Sequence, residues 1–177
     1  MATLNVADLN RQGKVFVGAN VSAKSVIAVN ATMTGLMLYN PINSGKKLVL
    51  VDAGFVWTTT PAAVHNVGIG IVAATATAPT SLTVAGGPAR AADGSGLAGS
   101  GIVYDAAVFA AAPVAARWFL NATYQAASAA GTTVASAMQL DRLDGSIALV
   151  PGSAACLIAV TTTAVGMGSF TWVEYPI

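Results

Sequence analysis

His65, Cys156 and seven carboxylates (Asp8, Asp52, Asp93, Asp105, Asp141, Asp144 and Glu174) are the imidazole, thiol and carboxyl groups of this chain. A Ser-His-Asp arrangement needs a base held by an acid and aimed at a nucleophile, and no nucleophile-elbow string occurs. Imidazole-bound metals usually recruit further His or Cys ligands, and His65 is the sole histidine; it reads as a loop or strand-end residue. The Asp141-x-x-Asp144-Gly145 string lacks the alternate ligands and closing acid of a calcium loop. Cys156, within AACLIAV, reads as a buried, inert thiol.

Two stretches imitate phosphate-binding loops. Asn40-Pro-Ile-Asn-Ser-Gly-Lys46-Lys47 has the Gly-Lys of a P-loop, but Asn40 replaces its first glycine and Lys47 its Ser/Thr. The LVLVDAGFVW that follows is β-branched and aromatic with no helical stripe, so no helix N-terminus would point at a phosphate. Gly94-Ser-Gly-Leu-Ala-Gly99 fits G-x-G-x-x-G, but it neither follows a buried strand nor opens an amphipathic helix. Neither loop predicts a nucleotide, and the sequence implies no cofactor, no metal, no small-molecule substrate and no catalytic residue.

Charge and hydropathy turn the question towards assembly. Only 8% of the residues are charged, 55% are hydrophobic, and the net charge is +1. Scattered basic residues give no footprint for nucleic acid. So few charges leave a lone monomer little repulsion to keep it soluble, which predicts a surface partly covered by other subunits. The uncharged stretch from Ile147 to Val173 is broken by Pro151-Gly152, by Thr161-Thr162-Thr163 and by glycines around Met167. It reads as two buried strands rather than a membrane helix. No apolar core of signal-peptide length opens the chain, and the sequons at Asn20, Asn30 and Asn121 fit chance in an Asn/Ser/Thr-rich sequence.

Residues 1–13 are polar and lack periodicity, predicting an arm or short helix, and residues 14–177 form one β domain. Runs such as KVFVG, GLMLYN, KLVLVDAGFVWTT, NVGIGIVAA, GSIALV and SFTWVEYPI predict about ten antiparallel strands in a sandwich or barrel. VYDAAVFAAAPVAARWFL reads as strand, loop, strand, because Pro113 interrupts its Ala-rich middle. Thr75 to Gly101 reads as a protruding loop, and Asp144-Gly145 as a turn between two strands. In the closing strand, Phe170, Trp172 and Glu174 share one face, while Thr171 and Val173 take the other. Glu174 then either caps a core or pairs across a subunit boundary.

Three segments, GLMLYNPINSGKKLVLVDAGFVW, RLDGSIALVPGSAACLIAV and SFTWVEYPI, resemble in type and order a group of small virion structural proteins of tailed bacteriophages, the capsid cement or decoration type. The resemblance implies an antiparallel jelly-roll-like β-sandwich with a short N-terminal arm. It further implies a homotrimer that sits on the capsid surface of a virion with the major capsid protein as partner, and no membrane or nucleic-acid role. Arg11, Lys14, Trp172, Glu174 and Tyr175 are the expected interface residues. The alternative is a receptor-binding or adhesive sandwich of a head or tail fibre or knob, with Thr75 to Gly101 reading a host surface. Against that reading, the loop is mostly Ala, Gly, Thr and Ser, whereas recognition loops favour Tyr, Trp and Arg.

Overall fold

The structure, a computed structural model, describes residues 5–59, 66–84, 89–119, 138–160 and 164–177. His65, Asn121, the Thr161-Thr162-Thr163 run and most of the runs ARWFLNATYQ and TVASAMQL lie outside the described residues. The elements in chain order are α1 (Val6–Arg11), β1 (Val15–Ala19), β2 (Lys24–Val26), β3 (Thr32–Tyr39), β4 (Lys46–Trp57), β5 (Val67–Val72) and β6 (Thr80–Val84), followed by β7 (Arg90–Ala91), β8 (Ile102–Val108), β9 (Val114–Trp118), β10 (Met138–Leu149), β11 (Ala154–Ala159) and β12 (Ala164–Pro176).

The strands form two antiparallel sheets packed face to face. The first, sheet A, runs β10-β4-β12-β1-β7, with β2 also on β12; the second, sheet B, runs β6-β8-β3-β11-β5-β9. The chain crosses between sheets at each step from β3 to β4 to β5, and again from β9 through β10 and β11 to β12. The rows β1-β12-β4-β10 and β3-β11-β5-β9 are thereby the two four-stranded halves of a jelly roll. The β6–β8 hairpin is an insertion that extends the second sheet beside β3.

Alternation decides what enters the core, and bulges repair it where the sequence breaks step. On β4, Leu48 and Leu50 reach the core between the sheets, and so do Ala53, Phe55 and Trp57. These two sets have opposite parity, and strict alternation would send one of them to the outside. The register of β12 on β4 slips between Asp52 and Leu50, leaving Val51 as an extra residue. Val51 turns outward to pack with Val15 and Val173. β12 keeps its predicted alternation, with Phe170 and Trp172 inward and Val173 on the outer face.

Two expectations are corrected. The Thr75 to Gly101 stretch is not simply a loop, because it contributes β6, paired with β8, and β7, paired with β1. Its small residues hid these strands from a reading that looks for large β-branched runs. Asp144-Gly145 does not separate two strands. Both flanks pair with β4, β10 advancing from Arg142 to Ile147 while β4 moves only from Asp52 to Leu50. This wide bulge holds Asp144 and Gly145 at positive φ (45° and 79°) and drops Leu143 into the core. Of the arm or short helix expected before β1, residues 5–13 show the helix: Asn5 caps α1, and Val6 and Leu9 lie against Val15, Val51 and Val173.

Candidate functional site

The three sequence segments that carry the resemblance meet at one corner of the sandwich. Asn40, where β3 gives way to the turn, is fully buried. Its Nδ2 donates to the carbonyl of Lys46 (2.8 Å) and to that of Leu149 (2.9 Å). Its backbone N–H donates to Ser153 O, and its carbonyl accepts from Gly152 N–H. The Asn-Pro turn before β4 and the Pro-Gly turn before β11 are therefore stitched together through one asparagine. An amide is suited to this, because one NH2 group carries two donors for two carbonyls.

Each turn follows local chemistry. Ser44 N–H donates to Pro41 O, Ser44 Oγ accepts from Lys46 N–H, and Gly45 takes positive φ. Val150-Pro151-Gly152-Ser153 closes with Ser153 N–H on Val150 O, with proline and a left-handed glycine in the two central places of a type II turn. A Cβ on Gly152 would sit 2.5 Å from Thr75 O.

Glu174, on β12, closes the corner. It is only 4% exposed. Its carboxylate accepts from Lys46 Nζ (2.7 Å), Ser100 N–H (2.6 Å), Ser100 Oγ (2.8 Å), Trp172 Nε1 (3.3 Å) and Gly101 N–H (3.4 Å). Burial alone pushes the Glu174 carboxyl up, but the hydrogen bonds from Lys46, Ser100 and Trp172 together outweigh it and hold the group below its ordinary value. The result ties β12 to the start of β4 and to the segment entering β8. The arrangement is an acceptor saturated by donors, so it offers no free acid or base to a substrate.

The expected interface residues divide into two groups. Trp172 is 0% exposed and stacks on Phe16 at 6.3 Å between ring centres. With Glu174 it faces the interior of its own chain and presents no side-chain surface to a second copy. Of the two roles weighed for Glu174, the structure shows the cap. Arg11, Lys14 and Tyr175 lie instead around α1 at the outer face of sheet A. Arg11 is exposed and pairs with Asp8 (2.9 Å), Lys14 joins α1 to β1 through Lys14 N–H on Leu9 O, and half-buried Tyr175 packs on the Val15-Val51-Val173 cluster.

Charge is unevenly divided between the sheets. Sheet A and α1 hold Asp8, Arg11, Lys24, Lys46, Lys47, Asp52, Arg90, Asp141, Arg142, Asp144 and Glu174, whereas the six strands of sheet B hold only Asp105 and Arg117. Both are engaged: Arg117 makes a two-pronged pair with Asp141 across the sandwich edge, and Asp105, 4% exposed, binds Asn20 and Lys24. Apolar groups stand out on this side at Leu82, Ile102, Val114 and Trp118. Sequence reading missed this division because it appears only once strands are sorted into sheets.

Among the described residues no three His, Cys, Asp or Glu side chains gather to hold a metal ion, and no helix is long and apolar enough to cross a membrane. Cys156 is fully buried on the outer side of sheet B beside Met37 and Ile158, and burial pushes its thiol far up. Compared with family models, with curated proteins and with solved structures, the chain matches none.

Proposed function

We propose that this chain is a non-enzymatic structural protein of a tailed-phage virion, a cement or decoration protein that assembles as a homotrimer on the capsid surface and stabilises the shell through the major capsid protein. The observation that carries this reading is the charge division: among the described residues, the strands of sheet B have no charge that is not already paired within the chain. A side without free charge sets no electrostatic penalty against close approach of neighbours, and its protruding apolar groups gain by being covered, at about 25 cal/mol per Å². The jelly-roll order and the corner built from the three shared segments agree with the resemblance, and they assign those segments to holding the fold.

The test is the solution mass of the purified chain by light scattering, followed by mixing with shells stripped of accessory proteins. The expected result is a trimer that rebinds in fixed stoichiometry and raises the melting temperature of the shell. A trimer that ignores shells but binds host cells transfers the assignment to receptor recognition, and a soluble monomer without affinity for shells overturns the assembly reading.

A further inference from the structure

The other buried polar cluster lies at the far end of β1 from Glu174, and it has the parts of a reactive site. Asn20, the residue after β1, is 4% exposed. Its Nδ2 donates to Asp105 Oδ1 on β8, and its Oδ1 accepts from Gly168 N–H on β12 at 3.0 Å. Lys24, on β2, puts its Nζ 3.2 Å from the other oxygen of the same carboxylate, Asp105 Oδ2. An amine and an amide nitrogen thus share one buried carboxylate, while a backbone N–H holds the amide oxygen. The surroundings are apolar: a Cβ on Gly168 would meet Leu157 and Leu36, and Val103 lies on β8 two residues from Asp105 within the inter-sheet core.

From this geometry we propose that Lys24 and Asn20 join in an intramolecular amide bond, with Asp105 as the proton carrier and the Gly168 N–H as the oxyanion donor. Each role follows from placement. Asp105 Oδ2 takes a proton from the Lys24 ammonium, freeing its lone pair as a nucleophile. Nζ adds to Cγ of Asn20, and the charge that develops on Oδ1 falls on the N–H already directed at it. A second proton passes from Nζ by way of the carboxylate, and both protons end on Nδ2, which sits against Asp105 Oδ1. The Cγ–Nδ2 bond breaks, the carbonyl reforms, and the nitrogen leaves as ammonium. One C–N bond forms, one breaks, and nothing is oxidised or reduced. Asn20 and Asp105, each 4% exposed, shield the reacting carbonyl from water, while the Lys24 side chain is 31% exposed. The product would close the Asn20-Val21-Ser22-Ala23-Lys24 connection, which carries the chain from β1 to β2 on sheet A, into a covalent ring.

The experiment is intact-mass spectrometry of the full chain after incubation in the folded state, with a peptide map of residues 15–30. The expected result is a mass lower than that of the sequence by one ammonia, a peptide in which Asn20 and Lys24 are linked, and loss of tryptic cleavage after Lys24. Lys24→Arg keeps the ion pair with Asp105 and the fold but removes the nucleophile, so it is expected at its full sequence mass; Asp105→Asn is expected to keep its full mass as well. A wild-type chain that retains its full mass while its melting transition shows it folded overturns the proposal. Loss of one water overturns it too, since the new bond would then lie on Asp105.

Discussion

Replacing Glu174 with Gln tests whether the corner lock is what holds the closing strand. The carboxylate accepts from five donors, three of them within 2.8 Å. Gln retains one acceptor oxygen and presents an NH2 group to Lys46 Nζ or Ser100, where donor would face donor. Hydrogen bonds to a buried charged group contribute roughly 1.5–3 kcal/mol each, and breaking a buried pair costs more than the pair itself adds. Lys46 is 40% exposed, so its head returns to water and its share lies at the low end. The expected loss for Glu174→Gln is about 3 kcal/mol, or roughly 6–12 °C in Tm for a domain of this size. Lys46→Met, which leaves the Ser100, Gly101 and Trp172 donors in place, is expected to lose about 1 kcal/mol. Urea titration with an unchanged m-value is the assay. The acid limb gives a second readout. The folded Glu174 pKa is lowered, so its stabilisation is fully present above the unfolded value, about 4.3, and is lost as pH falls through the lower folded value. Glu174→Gln removes that part of the acid dependence. A loss below about 1 kcal/mol for Glu174→Gln, or a variant with the wild-type acid profile, would refute the reasoning.

Asn40→Ala leaves the carbonyls of Lys46 and Leu149 without their shared donor and is expected to destabilise by roughly 2–3 kcal/mol, read by urea unfolding. Gly152→Ala meets both a φ of +87° and a contact of 2.5 Å with Thr75 O, so a loss of about 2 kcal/mol or more is expected by thermal melting. Cys156 is buried and its thiol pushed up, so a maleimide probe is expected to leave the folded protein unlabelled and to react at the rate of unfolding; labelling within minutes at neutral pH would place the thiol nearer the surface.

How far the fold was legible can be followed on particular residues. Short apolar, β-branched and aromatic runs bounded by turn residues marked β3, β4, β5, β11 and β12, and Pro113 marked the break between β8 and β9. The alternation put Phe170, Trp172 and Glu174 on one face, and only the fold showed that this face is the interior; the interior role was one of the two weighed for Glu174. β6 and β7 were missed because they are short, five and two residues, within a stretch of small residues, Gly and Pro, and are strands here by pairing with β8 and β1. The Asp144-Gly145 bulge was misread because a left-handed pair has the same local signature whether the chain reverses after it or continues.

The sequence by itself determined the class: local propensity, period and turn residues are properties of neighbours in the chain, and they made this a β protein. Which turns touch, which sheet each strand joins and where charge is spent are long-range matters, decided only when the jelly roll closed. Asn40 meets Leu149 across 109 positions, Glu174 meets Lys46 across 128, and Asn20 meets Asp105 across 85. No local pattern encodes such partners, because the free energy that selects them comes from burying polar groups together in one place, and that place exists only in the folded chain.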